Sequence, residues 1–223
     1  MGTLYIVSTP IGNLKDITLR ALEVLKMVDL IASEDTRHAG ILLAHYQIKK
    51  SLLSYQEFDE AKRIPQIIEK LKSGQNVALV SDAGTPTLSD PGFRLVRECI
   101  NQKIPVVSIP GPSAILAALV SSGLPTDKFL FLGYLPKKQG KRKALLQSLS
   151  SILQSIKVTL VIFESPHKVL KSLNDLKEVF GDIDIVIARE LTKIHEEVRR
   201  EKISQSIKHF QKEKPRGEFT ILF

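Results

Sequence analysis

Short apolar runs recur along this chain and alternate with longer stretches whose apolar positions fall at helical spacing. The runs Leu4–Ser8, Leu30–Ser33, Leu52–Tyr55, Val77–Ser81 and Val106–Ile109 predict buried strands, and Ile17–Val28 and Ile64–Leu71 predict amphipathic helices between them. Strand and helix in regular alternation predict an α/β unit with a parallel sheet and right-handed crossovers. Pro110, Gly111 and Pro112 then break the chain before a helix expected from about Ser113. A second series follows, with strands expected at Phe129–Gly133, Thr159–Glu164, Ile183–Arg189, Val198–Ile203 and Phe219–Phe223. Strand-like pieces around Lys208–Lys214 suggest that this series closes as a mixed sheet instead of repeating the first. The expected organisation is therefore two α/β domains, residues 1–112 and 113–223, with no low-complexity linker and hence tight packing.

The turns that leave these strands carry the candidate chemistry. Ser81 to Gly92 hangs two aspartates, two prolines and two glycines on the end of Val77–Val80, at a strand's carboxyl end, where open α/β sheets bind ligands. Glycine lets backbone approach a ligand, proline fixes the turn, and Asp82 or Asp90 can accept hydroxyl hydrogen bonds. The same residues also suit a plain tight turn in which Ser89 and Asp90 cap the helix opening at Phe93. Thr9, Pro10, Ile11, Gly12 and Asn13 follow the first strand without the spacing of a dinucleotide or Walker loop. Ser33 to His38 crowds Glu34, Asp35, Arg37 and His38 at a strand exit, where Asp35 reads equally as a cap or an active-site group. Pro110 to Ala114 places a glycine at a helix start whose amides can hold a carboxylate, with a Ser113 cap as the alternative. In the second half, Glu164, Arg189 and Glu190 stand at strand ends, where simple ion pairing is the other reading.

Charge narrows the partner. Of the 223 residues, 43% are hydrophobic and 25% charged, an ordinary globular balance, and the formal net charge is +8. Residues 1–112 hold 13 Lys and Arg against 12 Asp and Glu, while residues 113–223 hold 19 against 12, so the excess lies in the second half. Lys137, Lys138, Lys141, Arg142 and Lys143 form its densest cluster, read as a loop suited to phosphate backbones or as a solvated face. No apolar run approaches the roughly 20 residues of a membrane span, no export signal is visible at Met1, and the single Cys99 fits a reducing cytoplasm. The five histidines show no ligand spacing, so no metal is expected.

The words STPIGNL (8–14), EDTR (34–37), SDAGTP with SDPG (81–92), PGPSA (110–114), FESPHK (163–168), ARELTK with HEE (188–197) and PRGE (215–218) closely resemble the small-subunit ribosomal RNA ribose methyltransferase I family. That family lies within the tetrapyrrole methylase superfamily, and the resemblance runs through nearly the whole chain in order. It implies two α/β domains of the class III methyltransferase type with S-adenosylmethionine in the cleft between them. It also implies a homodimer and 2′-O-methylation of a cytidine in the decoding centre of 16S rRNA, on free rRNA or the small ribosomal subunit. Carried onto this sequence, it places Pro10, Asp82, Gly84, Thr85, Pro86, Ser89, Asp90, Ser113 and Ala114 at the cofactor. It turns the EDTR, FESPHK and ARELTK words toward the RNA.

Methyl transfer to a ribose hydroxyl needs oxygen, carbon and sulfur in line and a group to take the proton. The candidates are Glu34, Asp35, Glu164, Glu190 and Lys193, with Arg37 and Arg189 binding phosphate or orienting the acids. Three departures from the family pattern stand out: Lys168 replaces a common arginine, Arg200 a common glycine, and a further small C-terminal domain of some members is expected to be absent after Phe223. Methylation of a tetrapyrrole or of a diphthine-type residue, as in related branches, and a non-catalytic rRNA-binding module are the alternatives.

Overall fold

The computed structural model describes residues 1–223, which form two compact units, Met1–Ser113 and Ala114–Phe223. In the first, strands β1 (Leu4–Val7), β2 (Leu30–Ser33), β3 (Ser51–Ser54), β4 (Val77–Val80) and β5 (Val106–Ile109) pair in parallel in the order β3-β2-β4-β1-β5. Helices α1 (Leu19–Met27), α2 (Thr36–His45), α3 (Glu60–Lys72) and α4 (Phe93–Asn101) connect them.

Strand alternation assigns each helix a face. Leu4, Ile6, Val77 and Leu79 pack with Ile67, Leu71, Leu95 and Cys99 of α3 and α4. Val7, Ala78 and Val80 pack with Ala21, Leu25, Leu42 and Leu43 of α1 and α2. The chain therefore leaves β1 and β4, which are neighbours, toward opposite faces. In open α/β sheets ligands bind where such a reversal occurs, outside the carboxyl ends of the two strands.

In the second unit, β6 (Phe129–Tyr134), β7 (Thr159–Glu164), β8 (Asp184–Arg189), β9 (Glu197–Lys202) and β10 (Phe219–Leu222) form a mixed sheet in the order β6-β7-β10-β8-β9. β6 and β7 are parallel, and β10 runs antiparallel to both β7 and β8. The exits of β6, β7 and β8 thus share one edge with the start of β10. Helices α6 (Gln139–Leu153), α7 (Val169–Phe180) and α8 (Ile203–Lys212) cover one face and α5 (Ala114–Ser122) the other.

Two expectations change. The segment Lys208–Lys214 is not strand: α8 runs to Lys212, because Ile203, Ile207 and Phe210 bury a stripe at helical spacing that a short window misses. The basic cluster at 137–143 is not a loop, since α6 begins at Gln139 and takes in Lys141, Arg142 and Lys143. No helix is long and apolar enough to cross a membrane.

Candidate functional site

Four strand exits of the first unit are tied together at one edge. Thr9 and Gly84 exchange backbone hydrogen bonds of 2.8 and 3.0 Å, joining the turn after β1 to the turn after β4. The Thr9 hydroxyl donates to the Ser81 carbonyl at 3.2 Å. Thr85 Oγ1 lies 2.9 Å from Ser8 Oγ and donates to the Pro112 carbonyl at 3.2 Å, which brings in the segment after β5. Asp82 reaches the fourth exit: its Oδ1 accepts the Asp35 N–H at 2.9 Å, and its Oδ2 sits 3.3 Å from His38 Nδ1. Gly111 packs closely on this edge, where a Cβ would lie 3.0 Å from the Ser8 Cβ.

The turn between β4 and α4 holds unusual backbone. Thr87 and Ser89 adopt φ of 76° and 66°, and Gly92 has φ 129° with its would-be Cβ 2.5 Å from Leu79 Cδ2. Non-glycine residues in this region cost on the order of 1–3 kcal/mol each and persist only where their surroundings fix them. Glu60, buried at the start of α3, meets the end of this turn: its Oε1 accepts from Tyr55 Oη at 2.9 Å and from the Gly92 N–H at 3.0 Å.

The expected acids at β2 differ sharply. Asp35 is the N-cap of α2, accepting the Arg37 N–H, and its carboxylate pairs with the Arg37 guanidinium at 2.5 Å; these bonds hold it well below the usual carboxylate range. Both the cap and the Arg37 pair are therefore present, and Arg37 itself is exposed. Glu34 is pushed up to about 7 by burial first and then by the negative charge of Asp82, Asp90, Asp35 and Glu57.

In the second unit the expected residues line the edge shared by β6, β7 and β8, largely engaged with one another. Glu164 is 1% exposed, and its oxygens accept the Ser165 N–H at 2.8 Å and the Ser172 hydroxyl at 2.5 Å, with Lys168 Nζ at 4.0 Å. Arg189 pairs with Glu197 at 2.8 Å. Lys193 Nζ lies 2.9 Å from Glu190 and 3.1 Å from Glu218. Burial works to lower the Lys193 pKa, but the two carboxylates outweigh it and keep the group an ammonium. Burial likewise works to raise Glu190, yet the Lys193 bond and the Glu218 N–H hold it below the usual range. Glu190 folds over Gly217, where a Cβ would lie 2.3 Å from its Cδ.

The five-cation cluster divides. Arg142 is 3% exposed and ion-paired with buried Asp175 at 2.5 Å, while its Nη1 donates to the carbonyls of Pro136 and Lys137. It braces the turn and presents no charge to a partner, which corrects its reading as an RNA contact. Lys143 pairs with Glu178 at 2.6 Å. Lys137, Lys138 and Lys141 remain exposed. Glu60, Tyr55 and Asp175 went unnoticed in the sequence because nothing in their local spacing announces their partners. No group of three or more His, Cys, Asp or Glu side chains is arranged to hold a metal ion.

The sequence pattern of the Tetrapyrrole (Corrin/Porphyrin) Methylases matches residues 3–206. A ribosomal RNA small subunit methyltransferase I from Thermotoga maritima is 51% identical over 222 residues, spanning 100% of this chain and 98% of the relative. Its namesake from Synechocystis is 48% identical over 223 residues, spanning 100% of this chain and 78% of the relative. Among solved structures, a diphthine synthase superposes with a TM-score of 0.77 at 16% identity, covering 100% of this chain and 90% of its own. A uroporphyrin-III C-methyltransferase from Thermus thermophilus, complexed with S-adenyl homocysteine, superposes with a TM-score of 0.67 at 17% identity, covering 99% and 97%. At such identities the likeness is one of fold.

Proposed function

The chain belongs to the ribosomal RNA small subunit methyltransferase I family, within the tetrapyrrole methylases, and from that premise we propose that it moves a methyl group from S-adenosylmethionine to the 2′-hydroxyl of a cytidine in the decoding centre of 16S rRNA. That it is a methyltransferase follows from the membership; donor, atom and nucleotide are the proposal. The observation that carries it is the lacing of four strand exits through Thr9, Gly84, Thr85, Pro112 and Asp82 at the switch between β1 and β4.

The residues there suit this donor. Gly84 takes the left-handed φ of +80° that the turn requires and packs on Ile11, Ser113 and Ala114 offer amides at the opening of α5 for a carboxylate, and the proline-flanked carbonyls suit a cation. Pro10, Pro86, Ser89 and Asp90 belong to the same turns. Bound S-adenosylmethionine supplies an electrophilic methyl on a sulfonium. Of the candidate bases, Glu34 has the environment of a proton acceptor at neutral pH, since burial and neighbouring acids raise it to about 7. Lys193 is held charged and Glu164 is enclosed by its own partners, so both support the fold of the second unit instead. Lys137, Lys138 and Lys141 are the exposed cations for the RNA backbone.

The test is to incubate the protein with methyl-labelled S-adenosylmethionine and small subunits or 16S rRNA lacking the modification, then map the label. A labelled cytidine 2′-oxygen is expected. Label on a base, on protein or on a tetrapyrrole offered in parallel refutes the assignment.

A further inference from the structure

We propose that Glu60 is a positioning residue for methyl-donor binding, acting through Gly92 on the Ser81–Gly92 turn. This rests on the reading that the turn contacts S-adenosylmethionine. Glu60 itself lies behind the turn, at the start of α3, and is 4% exposed.

A buried carboxylate is costly to keep unless its oxygens are satisfied. Here Oε1 takes two donors, the Tyr55 hydroxyl and the Gly92 N–H, and Oε2 lies 3.4 Å from Arg94 Nε. Gly92 is the residue where the turn becomes α4, and its N–H would otherwise be one of the unpaired amides of a helix start. The turn upstream needs such an anchor. Thr87 and Ser89 are left-handed, and Gly92 at φ 129° sits so close to Leu79 and Thr87 that no side chain fits. A chain with that backbone relaxes unless both ends are held. At its far end Gly84 is fixed by Thr9, and at its near end the bond from Gly92 to Glu60 completes the restraint. Tyr55, 1% exposed at the exit of β3, orients the carboxylate from the other side. α3 therefore sets the shape of a turn to which it contributes no residue.

The test measures S-adenosylmethionine affinity by calorimetry, and KM for donor and RNA separately, on the full chain. Glu60→Leu removes the acceptor and is expected to raise the donor Kd and KM by about tenfold or more, leaving the RNA KM within about twofold. Glu60→Gln keeps one oxygen for both donors and is expected to restore the donor Kd to within about threefold. Tyr55→Phe removes one of the two donors and should raise the donor Kd by about threefold. Gly92→Ala distorts the turn directly and is expected to abolish donor binding. If Glu60→Leu folds and binds the donor like the wild type while Gly92→Ala does not, the role of Glu60 is wrong and the cofactor turn stands. If neither variant changes donor affinity, both readings fall. Should Glu60→Leu not fold, wild-type affinity in Tyr55→Phe overturns the proposal.

Discussion

Replacing Arg142 by methionine should unfold the second unit far more readily than the removal of a surface charge would. The Arg142 and Asp175 side chains are 4% and 2% exposed, with Nη2 to Oδ2 at 2.5 Å and Nε to the same oxygen at 2.6 Å. The guanidinium also satisfies the carbonyls of Pro136 and Lys137, and Gln139 donates to the other Asp175 oxygen at 3.0 Å. Methionine preserves much of the stem but leaves Asp175 charged, enclosed and short of its main partner. Removing one member of such a pair costs about 3–5 kcal/mol. With a urea m-value of about 2 kcal/mol/M for a domain of this size, the midpoint should fall by roughly 2 M. The assay is urea denaturation followed by far-ultraviolet circular dichroism, with the m-value checked for constancy. Adding Asp175→Leu removes the stranded charge and should recover most of the loss, because buried ion pairs are often no better than apolar replacements. A single-variant loss under about 1 kcal/mol, or a double variant no more stable than the single, would refute the assignment of Arg142 to the core.

Reversing Lys137, Lys138 and Lys141 to glutamate should leave the urea midpoint unchanged while weakening rRNA binding. It should also flatten the dependence of log K on log salt by about 2, for three lost contacts to single-stranded phosphates, in a filter-binding titration. Glu34 supplies a pH prediction. Its folded pKa, about 7, lies above the ordinary glutamate value of 4.5, so its contribution to stability is fully present below 4.5 and is lost as pH rises through about 7. Glu34→Gln should flatten that loss in melting curves taken from pH 4 to 8. Under the proposal that Glu34 is the proton acceptor it must be ionised, so wild-type kcat/KM should rise through about pH 7, and the same substitution should lower the rate and remove the inflection. Gly217→Ala, with φ +81° and Glu190 in the way, should lower stability by about 1–2 kcal/mol, read as a shifted melting temperature.

Elements were legible where burial imposes a period, and charges were illegible where their meaning depends on a distant partner. β2 and β7 fall at Leu30–Ser33 and Thr159–Glu164, as their apolar runs imply, because strands buried on both faces are near-continuously apolar. The turns at Ser81–Gly92 and Pro110–Ser113 announced themselves through glycine and proline. Arg142 looked like one more cation in a basic run because Asp175 stands 33 residues away, and Glu60 is separated from Gly92 by 32. Asp35 was ambiguous in the sequence for a sound reason: one carboxylate both caps α2 and holds Arg37.

These buried charges share a purpose that stability alone does not explain. Glu60 holds Gly92, Arg142 and Asp175 hold the Pro136–Lys137 turn, and Glu164 takes the Ser165 N–H and the hydroxyl of Ser172 from α7. In each case a buried ionisable side chain bonds a peptide group in the connection between a strand and the following helix. An apolar side chain in the same volume would avoid the desolvation cost, but it has no acceptor or donor with which to hold a peptide group at a set angle. The turn that ends at Gly92 includes Thr87 and Ser89, with φ of 76° and 66°, backbone that persists only where its surroundings hold it. Substituting the braces by apolar residues should therefore separate two properties that usually fall together: stability can be regained by repacking, as in the Arg142→Met, Asp175→Leu pair, while the ligand affinity of the turn cannot.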